Sequence, residues 1–94
     1  MNEVKFYTGQ VVGTPGALKA IQDAGDSMQK YLVRHQSGDW GDLDEEDKKM
    51  NDEGLKPLCE DRLLSAYTLS TGVKIWIITE WNRSATTILL PSEY

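Results

Sequence analysis

This chain of 94 residues has one cysteine, one histidine, one phenylalanine and three prolines, and each scarcity excludes something. Cys59 alone cannot form an intramolecular disulfide, which points to a reducing compartment. Cys59 and His35 together fall short of the four ligands of a structural zinc site, so no metal is predicted. Long apolar runs are also missing. The longest, Ile75 to Ile78, is far below the ~20 residues that a spanning helix needs, so no membrane association is expected. The opening Met1-Asn2-Glu3-Val4-Lys5 lacks the apolar core of a signal peptide, and the expected location is cytoplasmic. Cations are in deficit: ten Lys and Arg against fifteen Asp and Glu give a net charge of −5, which repels phosphate backbones and argues against a nucleic-acid partner.

What is present suffices for one domain over residues 1–94. Apolar residues make up 39% and charged residues 27%, values that allow a packed core and exclude wholesale disorder. A chain this short buries roughly 60–65% of its unfolded surface, enough for one core and too little for a large enclosed cavity. No cofactor and no small-molecule ligand are predicted.

Hydrophobic spacing divides the chain in two. Residues 4–12 read as a short strand or extended leading segment interrupted by Gly9. Thr14-Pro15 then has the pattern of a cap followed by the first helical residue, and Leu18, Ile21 and Ala24 form the apolar stripe of a helix over 15–24. Asp26 or Ser27 caps a second helix in which Met28, Tyr31, Leu32 and His35 stand at i, i+3, i+4 and i+7, ending at Gly38. His35 therefore lies on the core-facing stripe. Asp42 and Glu45 have the spacing of a capping box for a third, mostly polar helix over 43–53, with Leu43, Met50 and Leu55 as its contacts and Gly54 as its stop. Residues 55–62 connect this half to the next.

From residue 63 the period becomes alternating. Leu63–Leu69, Val73–Thr79 and Ala85–Leu90 are strands joined by loops short enough to make antiparallel hairpins. Val73, Ile75, Ile77 and Thr79 should face the helices. Trp76 and Ile78 point the other way and are larger than a solvated face requires, which predicts cover from the leading segment or from a second subunit. The expected fold is α+β: two or three N-terminal helices packed on a three- to four-stranded antiparallel β-meander.

Four stretches, Gly9–Leu18 (GQVVGTPGAL), Arg34–Leu43 (RHQSGDWGDL), Trp76–Glu80 (WIITE) and Asn82–Pro91 (NRSATTILLP), resemble a family of small, uncharacterised bacterial plasmid-related proteins, and the resemblance covers nearly the whole chain. It implies an association with mobile genetic elements and no particular activity. Some of that family carry the label of a type I restriction subunit M. An adenine methyltransferase needs a Gly-rich cofactor loop after a strand and an Asn/Asp-Pro-Pro-aromatic motif. Gly13-Thr14-Pro15-Gly16 is not such a loop and the prolines 15, 57 and 91 are isolated, so the label does not describe an activity of this chain.

The candidate sites each have two readings. His35, with Glu80, Arg83 and Ser84, could serve a metal-independent, toxin-like ribonuclease in which the imidazole moves a proton and Arg83 holds a phosphate. The alternative is a histidine that closes a helix, its ring packed on Tyr31 or Trp40, with Asn82 and Ser84 satisfying the turn and Arg83 paired with Glu80 or Glu93. Asp39-Trp40-Gly41-Asp42 could present Trp40 to a ligand, or Trp40 could be a wedge between helices and sheet while the carboxylates cap backbone amides. Trp76 and Trp81 are further candidates for a protein-binding surface. The acids from Asp39 to Asp61 number ten of the fifteen, lack the ligand pattern of a calcium loop, and could attract a basic partner or imitate nucleic acid. Tyr67, Trp81 and Tyr94 have no spacing that favours base stacking.

These readings favour a non-catalytic accessory or protein-binding domain, capable of self-association, over an enzyme. The enzyme reading requires His35 and Arg83 to converge in a solvent-open cleft. The binding reading requires His35 in the core and an apolar patch around Trp76 or Trp81.

Overall fold

Two hydroxyl caps start the helices where the sequence places them. In the computed structural model, which describes residues 3–56 and 61–94, the Thr14 hydroxyl oxygen accepts the Ala17 N–H at 3.1 Å and that of Ser27 accepts the Lys30 N–H. They open α1 (Pro15–Asp23) and α2 (Met28–Gln36). In α1 the buried residues are Ala17 and Ile21, while Leu18, expected inside, is 41% exposed. Ala17 lets the helix approach the sheet closely, and Leu18 lies beside Gly13 at the rim. In α2, Tyr31, Leu32 and His35 are buried as their spacing predicts.

The third helix, α3 (Glu45–Gly54), is capped by Asp44 rather than Asp42: the Asp44 carboxylate accepts the Asp47 N–H at 2.8 Å. Asp42 is drawn elsewhere. Its N–H donates to the Ala66 carbonyl and its carboxylate accepts the Thr68 hydroxyl at 2.7 Å. Met50, expected as a core contact, is 62% exposed, and its neighbour Asn51 is buried in its place.

The strands are β1 (Gln10–Gly13), β2 (Leu63–Thr68), β3 (Lys74–Thr79) and β4 (Ala85–Leu89), followed by a 3-10 turn over Pro91–Glu93. They form one sheet in the order β1-β4-β3-β2. The meander β2-β3-β4 is antiparallel, but β1 lies parallel to β4, with Gln10 opposite Ala85 and Gly13 opposite Ile88. The sheet is therefore mixed, not purely antiparallel, and the helices are not all N-terminal, since β1 precedes them. Residues 4–12, expected as a short strand or extended segment, join the sheet only from Gln10, because Gly9 adopts a φ of 63° and lies so close to the 83–84 turn that a Cβ there would overlap backbone. The expected connector 55–62 is described only at its ends; residues 57–60, with Cys59, lie outside the described residues.

The helices cover one face of the sheet, where Leu63, Ser65, Tyr67, Ile75, Ile77, Thr79, Thr86 and Ile88 are all buried. Ala17, Ile21, Tyr31 and Leu32 pack onto the Tyr67-Ile75-Ile77-Ile88 part of that face. Phe6, Trp40 and Leu63 form a second cluster, flanked by Leu43 and Leu55. No helix among the described residues is long and apolar enough to cross a membrane.

The outer edge of β2 is closed at Leu64 and Ala66. The Asn51 side-chain amide donates to the Leu64 carbonyl at 2.7 Å and accepts the Leu64 N–H at 3.2 Å. Two residues on, Ala66 exchanges bonds with the Trp40 carbonyl and the Asp42 N–H, forming a parallel bridge at Gly41. An unpaired strand edge invites pairing with another chain, and here a side-chain amide and one turn of loop occupy it. Gly41 is essential to that approach, since its φ is 75° and a Cβ would overlap the Ala66 carbonyl oxygen. We expect Gly41→Ala to cost on the order of 3 kcal/mol or more, from left-handed strain plus overlap with the strand. Gly25→Ala, at φ 69° with open space around it, should cost only about 1 kcal/mol. Urea unfolding of both variants checks this, and equal losses would contradict the close approach at Gly41.

Candidate functional site

The sequence singles out His35, and the fold places it at 0% exposure on α2, against the sheet. Its Nε2 lies 2.9 Å from the Thr79 hydroxyl, and its Nδ1 is hydrogen-bonded to the Ser65 hydroxyl. The row continues: the Thr79 and Thr86 hydroxyls are 2.7 Å apart, and the Thr86 hydroxyl donates to the Thr8 carbonyl at 2.8 Å. These distances assign every proton. Thr86 spends its hydrogen on Thr8, so Thr79 must donate to Thr86, and His35 Nε2–H must donate to Thr79. Burial disfavours the charged ring, so Nδ1 accepts from Ser65 and the imidazole is neutral with its proton on Nε2. Burial holds its pKa down from 6.5 to about 3, and the positive charge of Arg83 adds to that effect.

Aromatic rings close off the imidazole. Phe6 meets it edge-on at 5.1 Å and Trp40 at 5.7 Å, and those two rings stack at 6.2 Å. Trp40 is buried and donates its indole N–H to the Asp52 carboxylate at 2.9 Å, so it wedges α2 and α3 against β2. Asp39 binds Arg34 through two oxygens, at 2.7 and 3.4 Å, and accepts the Gly41 N–H. The Arg34 hydrogen bond holds the Asp39 carboxyl below the usual carboxylate range. Arg34 in turn covers the Tyr67 ring, whose hydroxyl donates to the Asp39 carbonyl at 2.6 Å.

Arg83 does not pair with Glu80 or Glu93. Its guanidinium donates to the carbonyls of Asp61 at 2.6 Å, Gly54 at 2.9 Å, Trp81 at 3.2 Å and Glu80 at 3.3 Å. It therefore fastens the carbonyl end of α3 to the β3–β4 turn, where a cation also complements the helix dipole. Glu93 accepts the Thr14 hydroxyl at 2.6 Å and the Leu90 N–H. Ser84 is exposed; its N–H donates to the Asn82 side chain and its carbonyl accepts from Gln10. Glu80 uses its backbone to close the turn. His35 and Arg83 share Phe6 as a neighbour, with Arg83 5.8 Å from its ring, but they do not meet in an open cleft.

On the helix-free face of the sheet, Trp76 is covered in part by the C-terminal Tyr94. Trp76 is half-buried against Tyr94 at 5.6 Å, and the Tyr94 hydroxyl accepts from Arg62 at 2.7 Å while the guanidinium lies over the ring. Tyr94 thus links Trp76 on β3 to Arg62, just before β2. Trp81, in the turn, is 62% exposed.

One feature that spacing did not reveal is an open groove of about 170 Å³ between α3 and β2. Leu43, Met50 and Leu64 supply its apolar surface, with Asp47 and Asp61 at its margins. Sequence reasoning placed Met50 in the core because of its hydrophobicity. No local signal marks the groove, because Asn51 is drawn inward by the backbone of Leu64, which is remote in sequence. Among the described residues no three His, Cys, Asp or Glu side chains are placed to hold a metal, and every buried side-chain polar atom has a partner. No family model, curated protein or solved structure matches the chain.

The His35 shift fixes a pH dependence. Its folded pKa lies below its ordinary value, so the unfolded chain takes up a proton first as pH falls. Stability from the neutral imidazole is complete above pH 6.5 and is lost progressively toward pH 3, with a slope of up to about 1.4 kcal/mol per pH unit. Asp39 and Asp26, held below the usual carboxylate range, add to the loss only below about pH 4.5. Between pH 6.5 and 5 the slope should therefore belong to His35. Urea unfolding across that window should show it in the wild type and not in His35→Gln, and a flat wild-type profile would contradict it.

Proposed function

We propose that this chain is a non-catalytic accessory domain that binds another protein. The observation that carries the reading is the state of its one histidine: buried, neutral and hydrogen-bonded at both nitrogens, it has no free proton to exchange with a substrate. Arg83 supports the same reading, since its two terminal nitrogens are held by four backbone carbonyls. Among the apolar surfaces open to solvent are a groove with acidic margins and the exposed Trp81. As part of the same proposal we place the protein in the cytoplasm and keep its association with mobile genetic elements. The lone cysteine supports the first and the family resemblance the second.

The ribonuclease alternative and this reading differ over Arg83→Lys, which keeps the charge but cannot reach several carbonyls at once. We expect the variant to lose about 1–3 kcal/mol of stability through unpaired carbonyls, and neither it nor the wild type to cleave RNA of mixed sequence. Cleavage by wild type that His35→Gln abolishes in a folded protein would overturn the proposal.

A narrower second reading is favoured by the start of α3, where Asp44, Glu45, Glu46 and Asp47 are all exposed. Such an array can imitate phosphate spacing and occupy a basic protein. Under this reading the chain competes with DNA for a basic DNA-binding protein, and the competition disappears when Asp44, Glu45 and Asp47 are neutralised. Competition that survives their neutralisation removes the mimic reading.

A further inference from the structure

We propose that the groove between α3 and β2 takes a basic amphipathic segment of a partner protein: a lysine or arginine stem lies on Leu43, Met50 and Leu64, and its charged head sits between Asp47 and Asp61. The inference rests on the protein-binding reading above and names the partner's chemistry.

The groove exists because of how α3 is attached. A helix that packs on a strand by interdigitating apolar side chains leaves no gap. Here an amide is the link: Asn51 bonds both backbone groups of Leu64, and Met50 is left 62% exposed beside it. Methionine is unbranched and polarisable, so an open Met50 suits contact with varied aliphatic stems. The volume, about 170 Å³, suits one long side chain and is below the roughly 300 Å³ at which small-molecule sites begin.

The margins select the charge of the occupant. Asp47 comes from α3 and Asp61 from the segment before β2, so they flank the groove from two elements. Neither carboxylate has an ion pair among the described residues. The one cation in the lining, Arg62, is turned toward Tyr94 on the sheet face. Glu46 on the same helix adds to the negative field, while Glu45 and Glu53 are paired with Lys48 and Lys56. An anionic segment would be repelled, and a purely apolar one would desolvate two carboxylates without compensation. A long cationic side chain meets both demands, with its stem on the apolar floor and its head at the rim.

The occupant must contribute side chains rather than a strand. Addition of a β-strand would use the outward groups of Leu64 and Ala66, and those already bond to Asn51, Trp40 and Asp42.

The test uses the full chain, isotopically labelled, and a synthetic helical peptide of lysine and leucine as the probe, followed by NMR. Resonances of Leu43, Asp47, Met50 and Leu64 should shift. The affinity should fall at least tenfold in Asp47→Asn/Asp61→Asn, whose spectrum also reports that it remains folded. Glu45→Gln/Glu46→Gln loses the same charge outside the groove and should weaken binding less than threefold. Equal weakening by the two pairs would mean general attraction and would overturn the inference. So would absence of shifts, or calcium or magnesium alone producing the same shifts and displacing the peptide. Shifts centred on Trp81 would overturn the groove while leaving the protein-binding reading in place. RNA cleavage dependent on His35 would overturn that reading itself.

Discussion

The row of hydrogen bonds that begins at His35 is the constraint on which the arrangement of elements depends. One imidazole ties α2 to β2 through Ser65 and to β3 through Thr79, and the hydroxyl relay extends to β4 through Thr86 and to the leading segment at Thr8. Each group has a single proton to give and one place to give it, so the row has one arrangement. A polar row inside a core is tolerated only when complete, because a lone unpaired member in low dielectric is costly. Its demands are thus geometric: α2 must sit at one height over three strands, and the chain before β1 must pass where Thr8 can accept.

Phe6 and Trp40 follow from that demand. They shield the imidazole from water, and Phe6 is brought there by the same segment that carries Thr8. Trp40 then fixes where the chain turns toward β2. From there the loop bonds to Ala66, and Asp52 on α3 takes the indole proton. Arg83 fastens the far end of α3 to the β3–β4 turn. The helix is held at three points, by Trp40, Asn51 and Arg83, and all three contacts are hydrogen bonds. That polar attachment explains how a helix with so few apolar residues packs at all, and why it leaves a groove along the strand.

The groove and the histidine row are complementary in their consequences. Where the core is closed, the residues that looked chemical are used for structure. Where polar attachment keeps α3 from sealing against β2, apolar surface and uncompensated carboxylates stay in contact with water. The surface suited to recognition is a by-product of the device that protects the sheet edge.

Local spacing was enough for the cap at Thr14, for narrowing the α2 cap to Asp26 or Ser27, for the stripe of α2 with His35 on it, and for the β2-β3-β4 meander, because each depends on residues within a few positions of one another. Spacing pointed to Asp42 as the cap of α3, but its carboxylate is taken by the Thr68 hydroxyl on β2, and Asp44 caps the helix instead. Hydrophobicity ranked Met50 above Asn51 for the interior, and the unpaired backbone of Leu64, remote in sequence, reversed that order. The parallel β1, the four-carbonyl grip of Arg83 and the groove beside α3 likewise arise from contacts across long stretches of chain. Sequence by itself determined which segments are helix or strand and that His35 faces inward. Tertiary structure decided what each polar side chain does, because a donor or acceptor is defined by the partner that reaches it, and those partners come from other elements.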